Sequence, residues 1–197
     1  MGSIETFTLK KADIEKFMSA RYSTHNLCLD NRHALTELSA HHSGIERVIA
    51  NLCQYFTPAL PSGNTTLMDL IVHEALLEFE DKIKSESLDI AYQAFCKAVL
   101  KSLPRVMEYR VFIESSSRRV NDNEEYWDCT REGLHTWLEA NCVTKLLVEQ
   151  VPFLTSLNNN DIAMMLAPKI FNRQDMLYLG LPPTGFFQLK GFDPVLA

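Results

Sequence analysis

The feature that most restricts this chain is an apolar stripe near its middle. Leu88, Ala91, Tyr92, Phe95, Val99 and Leu103 recur mostly at intervals of three and four residues. Only a helix brings such positions to one side, so the spacing predicts an α-helix over 88–102. Phe95 and Val99 are then expected inside, with Lys97 and Lys101 turned outward together. Ser87 is placed to cap this helix. Pro104 is expected to close it, because proline restricts Leu103 before it and donates no N–H.

Weaker helical spacing runs on both sides. Residues 9–22 carry Ile14, Phe17, Met18 and Arg21 on related faces. Residues 31–56 carry Leu35, Leu38, Ile45, Val48, Ile49, Leu52 and Phe56. We divide that stretch at Ser43-Gly44, since an interior glycine costs a helix about 1 kcal/mol. Pro58, Pro61 and Gly63 then mark a loop. Thr65 or Thr66 caps a helix predicted over 67–83, with Asp69 in its first turn, where the helix dipole favours an anion.

Beyond Pro104 the pattern is less uniform. Residues 107–113 fit a strand as well as a helix, and 115–123 read as a polar loop. Helical spacing returns over 124–149 with Tyr126, Trp127, Leu134, Trp137 and Leu138. Asn158, Asn159 and Asn160 then precede an amphipathic helix carrying Ile162, Met165, Leu166 and Ile170, which Pro168 is expected to kink or stop. From Asn172 the composition changes: Gly180, Pro182, Pro183, Gly185, Gly191 and Pro194 are mixed with Tyr178, Phe186, Phe187 and Phe192. That mixture predicts an extended arm packed on its own domain or on a neighbouring copy. The expected fold is therefore mainly α: a single-domain helical bundle over 1–171 with an irregular C-terminal arm over 172–197.

Composition narrows the function. The chain has 197 residues, 46% of them hydrophobic and 22% charged, enough for one sizeable core. Nineteen basic against twenty-five acidic side chains leave a net charge of −6, without the basic footprint of a nucleic-acid binder. No apolar run reaches the roughly 18 residues of a membrane span. Met1-Gly2-Ser3-Ile4-Glu5 is not a basic-then-apolar leader and matches a myristoylation signal only loosely. The expectation is a soluble, cytoplasmic protein. The five cysteines, Cys28, Cys53, Cys96, Cys129 and Cys142, are odd in number and unevenly spaced, which argues for thiols rather than a disulfide framework.

Several clusters carry residue types that could do chemistry. His25, Cys28, His41, His42 and Cys53 offer soft metal ligands, but their spacing matches no zinc finger, and buried thiols behave as small hydrophobes. His73, Glu74, Glu78 and Asp81 read as a solvated helix face. A thiol paired with His135 would be a nucleophile, although sequence alone gives the pair no orientation. Met164, Met165, Trp127 and Trp137 read as core. Neither a metal nor a cofactor is expected.

Three segments resemble one family. Ala94-Phe-Cys-Lys97-Ala-Val-Leu-Lys101-Ser-Leu103-Pro104 is similar to the leucine-lysine-x-x-leucine-arginine-x-leucine-proline helix of Rho GTPase-activating domains. Leu157-Asn-Asn-Asn160-Asp161-Ile162-Ala163, continuing to Leu166-Ala167-Pro168, resembles the asparagine-leucine-alanine…glycine-proline helix of that family. Gly44-Ile45-Glu46-Arg47-Val48 resembles the loop that presents its arginine finger. The segments span about 43–171 in the family order, and the divergent, catalytically silent members are the closer likeness. The resemblance implies a helical module that docks on a small GTPase through Lys97 and Lys101, with Asp161 in the place of the asparagine that positions the finger. Arg47 would be that finger, which in an active member supplies about 10³–10⁵ in rate. Glu46 stands where the family has an aromatic residue and is expected to pair the Arg47 guanidinium, so the expectation leans away from an enzyme. Phe186, Phe187 and Phe192 add an aromatic interaction surface. The alternative reading is a self-associating structural or scaffold protein, of viral matrix or effector type, that forms homo-oligomers through its helices and tail.

Overall fold

In a computed structural model of the chain, the structure describes residues 6–21, 27–60, 64–83, 87–114, 116–134 and 159–181. The molecule is mainly helical and also contains a small three-stranded sheet. Strand β1 (Thr6–Lys10) leads into α1 (Lys11–Arg21), followed by α2 (Leu27–Ser39), α3 (Gly44–Tyr55), α4 (Leu67–Ile83) and α5 (Leu88–Glu114). Strands β2 (Ser116–Asn121) and β3 (Glu124–Thr130) form a hairpin, and α6 (Asn159–Ile170) and α7 (Arg173–Tyr178) end the described chain.

The divisions expected at Ser43-Gly44 and over 67–83 are where the helices divide. In α3 Ile45, Val48 and Leu52 are buried, while Glu46 and Arg47 are exposed. Thr66 and Asp69 start α4 as a reciprocal cap. The Asp69 N–H donates to the Thr66 hydroxyl at 3.2 Å, and the Thr66 N–H donates to the Asp69 carboxylate at 2.9 Å. The buried Asn31 side chain donates to the Asp69 carbonyl at 2.7 Å and ties α2 to the same turn.

The central helix extends past its expected end. In α5 Phe95 and Val99 are fully buried and Lys97 and Lys101 exposed, yet the helix passes through Pro104 and runs on to Glu114. An interior proline costs about 3 kcal/mol. Beyond it Val106, Met107 and Phe112 are buried, and each contributes roughly 1.5–3 kcal/mol, so together they outweigh that cost. The same burial resolves residues 107–113 as helix rather than strand.

The chain is mainly helical as expected, and the sheet adds three strands that the helical spacing did not indicate. Residues expected as a polar loop form β2, and those expected to open the next helix form β3, the central strand of the order β1-β3-β2. Phe7 pairs with Cys129 and Leu9 with Trp127. Those four side chains point toward the core, while Thr8, Lys10, Tyr126 and Asp128 lie on the outer face. Asp122 and Asn123 make the two-residue hairpin turn with φ of 50° and 66°.

The first residues of the expected arm are helical. Residues 173–178 are helical, Met176 is buried in the core, and Leu179 and Leu181 pack against it. An extended arm therefore does not begin at Asn172. Of the helix expected over 124–149, residues 135–149 lie outside the described residues, as do Trp137 and His135.

Candidate functional site

Three elements meet around one carboxylate. Asp175 stands in the first turn of α7, with its side chain only 9% exposed. Its Oδ1 and Oδ2 each accept from Nη2 of Arg47 at 2.7 Å. Oδ1 also accepts from the Tyr92 hydroxyl at 3.1 Å, and Oδ2 from the Asn172 N–H at 3.3 Å. The Asn172 side chain accepts in return from the Asp175 N–H at 2.8 Å, which completes a capping box for α7. A carboxylate offers about four acceptor positions. All are used within the protein.

The surroundings hold this arrangement from the other side. The His42 ring stacks on Tyr92 at 3.9 Å with an interplanar angle of 8°. The Gly44 N–H donates to His42 Nδ1 at 3.3 Å. A Cβ on Gly44 would stand 3.0 Å from both His42 Nδ1 and the Tyr92 hydroxyl, so this position favours glycine by close approach. Tyr178 crosses to α5, where its hydroxyl donates to the Asp89 carbonyl at 2.9 Å, and Gln93 donates to the Tyr178 carbonyl at 3.0 Å. Asn51 of α3 donates to the Ile170 carbonyl at 2.8 Å and anchors the end of α6.

Burial keeps the thiol and the phenol of this site neutral. The Cys96 thiol is pushed up to about 12, chiefly by burial, with the Asp175 charge adding to it. The Tyr92 hydroxyl is pushed well above the ordinary tyrosine range, again chiefly by burial. Neither is a nucleophile at neutral pH. Cys53 is half-buried and raised by burial as well. Among the described residues no group of three His, Cys, Asp or Glu side chains could hold a metal ion.

Arg47 is thus engaged, but not by Glu46 as its neighbouring position suggests. The partner is Asp175, 128 residues further on. Residues i and i+1 on a helix point about 100° apart, whereas α7 presents Asp175 directly to the guanidinium. The sequence signal for Asp175 was present in Asn172-x-x-Asp175, an N-cap followed three residues later by a carboxylate. The glycines and prolines downstream masked it.

The cations expected to act with Arg47 lie elsewhere on α5. Counting about 100° per residue, Lys97 is about 140° and Lys101 about 180° around the helix from Tyr92, whose hydroxyl marks the Arg47 side. Both lysines are exposed, and Lys101 donates to Glu78 of α4 at 2.7 and 2.9 Å. Arg105 stands 3.8 Å from Glu74, so the acidic face of α4 is paired with α5 rather than merely solvated. Asp161 lies on α6, and its side chain is outside the described residues, as are Phe186, Phe187 and Phe192.

No protein-family model, curated protein or solved structure matches the chain. Among the described residues no helix is long and apolar enough to cross a membrane.

Proposed function

We propose that the chain is a helical protein-docking module without a catalytic finger. It meets its partner, of the small-GTPase class that the sequence resemblance implies, through the Lys97 and Lys101 side of α5. The observation that carries this reading is the commitment of Arg47. A finger must bring unspent positive charge to a phosphoryl group, and the Arg47 charge is met at 2.7 Å by a carboxylate fixed by two further donors. Lys97 and Lys101 are in water, and the Lys101–Glu78 pair, 69% and 44% exposed, is of the kind that costs little to give up.

The test uses the full chain. It is titrated calorimetrically into Rho-family GTPases loaded with a GTP analogue, and single-turnover GTP hydrolysis is followed in parallel. We expect binding that the pair Lys97→Glu and Lys101→Ala weakens about tenfold or more, an unchanged melting temperature, and no acceleration of hydrolysis. Arg47-dependent acceleration would overturn the non-catalytic half of the proposal. Absence of binding to every GTPase would overturn the partner class, and a mass above the monomer in light scattering would then favour a self-associating scaffold.

A further inference from the structure

The hairpin leaves one strand edge open. In the order β1-β3-β2, β2 pairs with β3, and among the described residues no strand lies along its other edge. Ser117 to Asn121 are all exposed, Val120 at 62%. The turn fixes the direction of each backbone group. Asn121 and Glu124 close a hydrogen-bonded two-residue turn, so they form a hydrogen-bonded pair, and such pairs alternate along an antiparallel ladder. Asn121, Arg119 and Ser117 therefore turn their N–H and C=O toward β3, whereas Arg118 and Val120 turn theirs to the open edge. A row of free donors and acceptors of this kind accepts a further strand. The charges of the sheet are also sorted by strand. The acids Glu124, Glu125 and Asp128 stand on the central β3, and the cations stand on its neighbours, Lys10 on β1 and Arg118 and Arg119 on β2. Arg118 Nη2 donates to Glu125, and Arg119 donates to Asp128 through Nε at 2.9 Å and Nη2 at 3.3 Å. Nη1 of each arginine bonds to no described residue, and the two side chains are 56% and 47% exposed.

We propose that the open edge of β2 binds a short, extended, acidic segment of a partner protein, which joins the sheet as a further strand. The backbones of Arg118 and Val120 supply the ladder bonds. Arg118 and Arg119 project to opposite faces of the sheet, and so do adjacent side chains of an extended segment. Two neighbouring carboxylates can therefore meet one arginine each. Val120, exposed beside them, meets an apolar or β-branched side chain. Charge argues against a second copy in the same place. Because Arg118 and Val120 carry the outward groups, an antiparallel β2–β2 ladder overlaps longest in registers that set the two copies of Arg118, or the two copies of Arg119, directly opposite each other. Like charges so placed destabilise the pairing, and a strand of six residues has little overlap to give up in moving them apart. The arginines that oppose self-pairing are the ones that favour an acidic strand. The net charge of −6 opposes a long polyanion, so the segment is short.

The experiment adds a fluorescein-labelled peptide, two adjacent glutamates set within alternating valine and threonine, to the full chain at low salt. Binding is read by anisotropy, and amide hydrogen exchange is followed by NMR in parallel. We expect saturable binding and slowed exchange at the Arg118 and Val120 amides, which the free chain leaves unbonded. The same peptide with lysines in place of the glutamates should bind about tenfold more weakly or worse. A glutamate peptide whose alternate backbone nitrogens are methylated should not bind, because it keeps the charge and loses the ladder. Arg118→Gln with Arg119→Gln, which puts no new charge beside Glu125 and Asp128, should weaken the glutamate peptide about tenfold and remove its advantage over the lysine peptide. No binding of the glutamate peptide, retained binding of the methylated one, or slowed exchange confined to other segments would overturn the proposal. Arg118 and Val120 amides already slow in the free chain, on a species of dimer mass in light scattering, would assign the edge to a second copy and overturn it equally.

Discussion

Asp175 and Arg47 share one ion pair but do not stand in the same position. Removing Asp175 leaves the Tyr92 hydroxyl and the Asn172 N–H without their acceptor and takes away half of a helix cap. Removing Arg47 leaves the carboxylate with both of those donors. The arginine side chain is also 47% exposed, so water screens its share of the attraction. Asp175→Ala should therefore cost about 2–4 kcal/mol and Arg47→Ala only about 1 kcal/mol in urea unfolding. Equal costs would mean that the charge pair, rather than the cap and the tyrosine bond, carries the stability. At this scale the sequence was partly legible. Arg47 could be singled out, and the outward Lys97 and Lys101 followed from their phase against Phe95 and Val99. Its partner could not be read, because nothing local relates residue 47 to residue 175.

Periodicity served the helices well and the hairpin badly. In α3, α4 and the first half of α5, apolar spacing, glycine position and a threonine-aspartate cap all pointed to the same boundaries. Pro104 pointed to a different one, and local chemistry gave way to the burial of Val106, Met107 and Phe112 downstream. The strands were lost for a related reason. Seven residues with Tyr126 and Trp127 fit either period, and β3 is defined by its two neighbours rather than by itself. The missed local signal was Asp122-Asn123, the two residue types besides glycine that best tolerate φ above zero in a two-residue turn. Since Asn123 has φ of 66°, Asn123→Gly should hold or slightly raise the melting temperature. Asn123→Val should destabilise by about 1–2 kcal/mol, because a β-branched side chain clashes there. The comparison of the two variants by calorimetry checks the turn type. A valine tolerated as well as glycine would mean that the turn is not formed in solution.

The described residues close on one core. Ile14 of α1, Leu38 of α2, the stripes of α3, α4 and α5, Cys129 of the sheet, and Phe171 and Met176 near the C-terminal end belong to a single buried cluster. That cluster contains neutral acids whose ionisation is held off by burial: Cys96 pushed up to about 12, Cys129 to about 11, and the Tyr92 hydroxyl raised further. In the unfolded chain these thiols ionise near their ordinary value of 9.0. Above that pH the unfolded state has lost protons that the folded state still holds, so rising pH favours unfolding. The contribution is fully present below about pH 9 and disappears as the pH climbs toward the folded values. Each such group sets a slope of up to about 1.4 kcal/mol per pH unit. We expect the urea midpoint to fall steeply from about pH 9 to pH 11. The double variant Cys96→Ala/Cys129→Ala should begin slightly less stable at neutral pH yet lose less across that interval. An alkaline slope identical in the variant and the parent would mean that these thiols are not buried in the folded protein, and the core described around α5 and β3 would have to be redrawn.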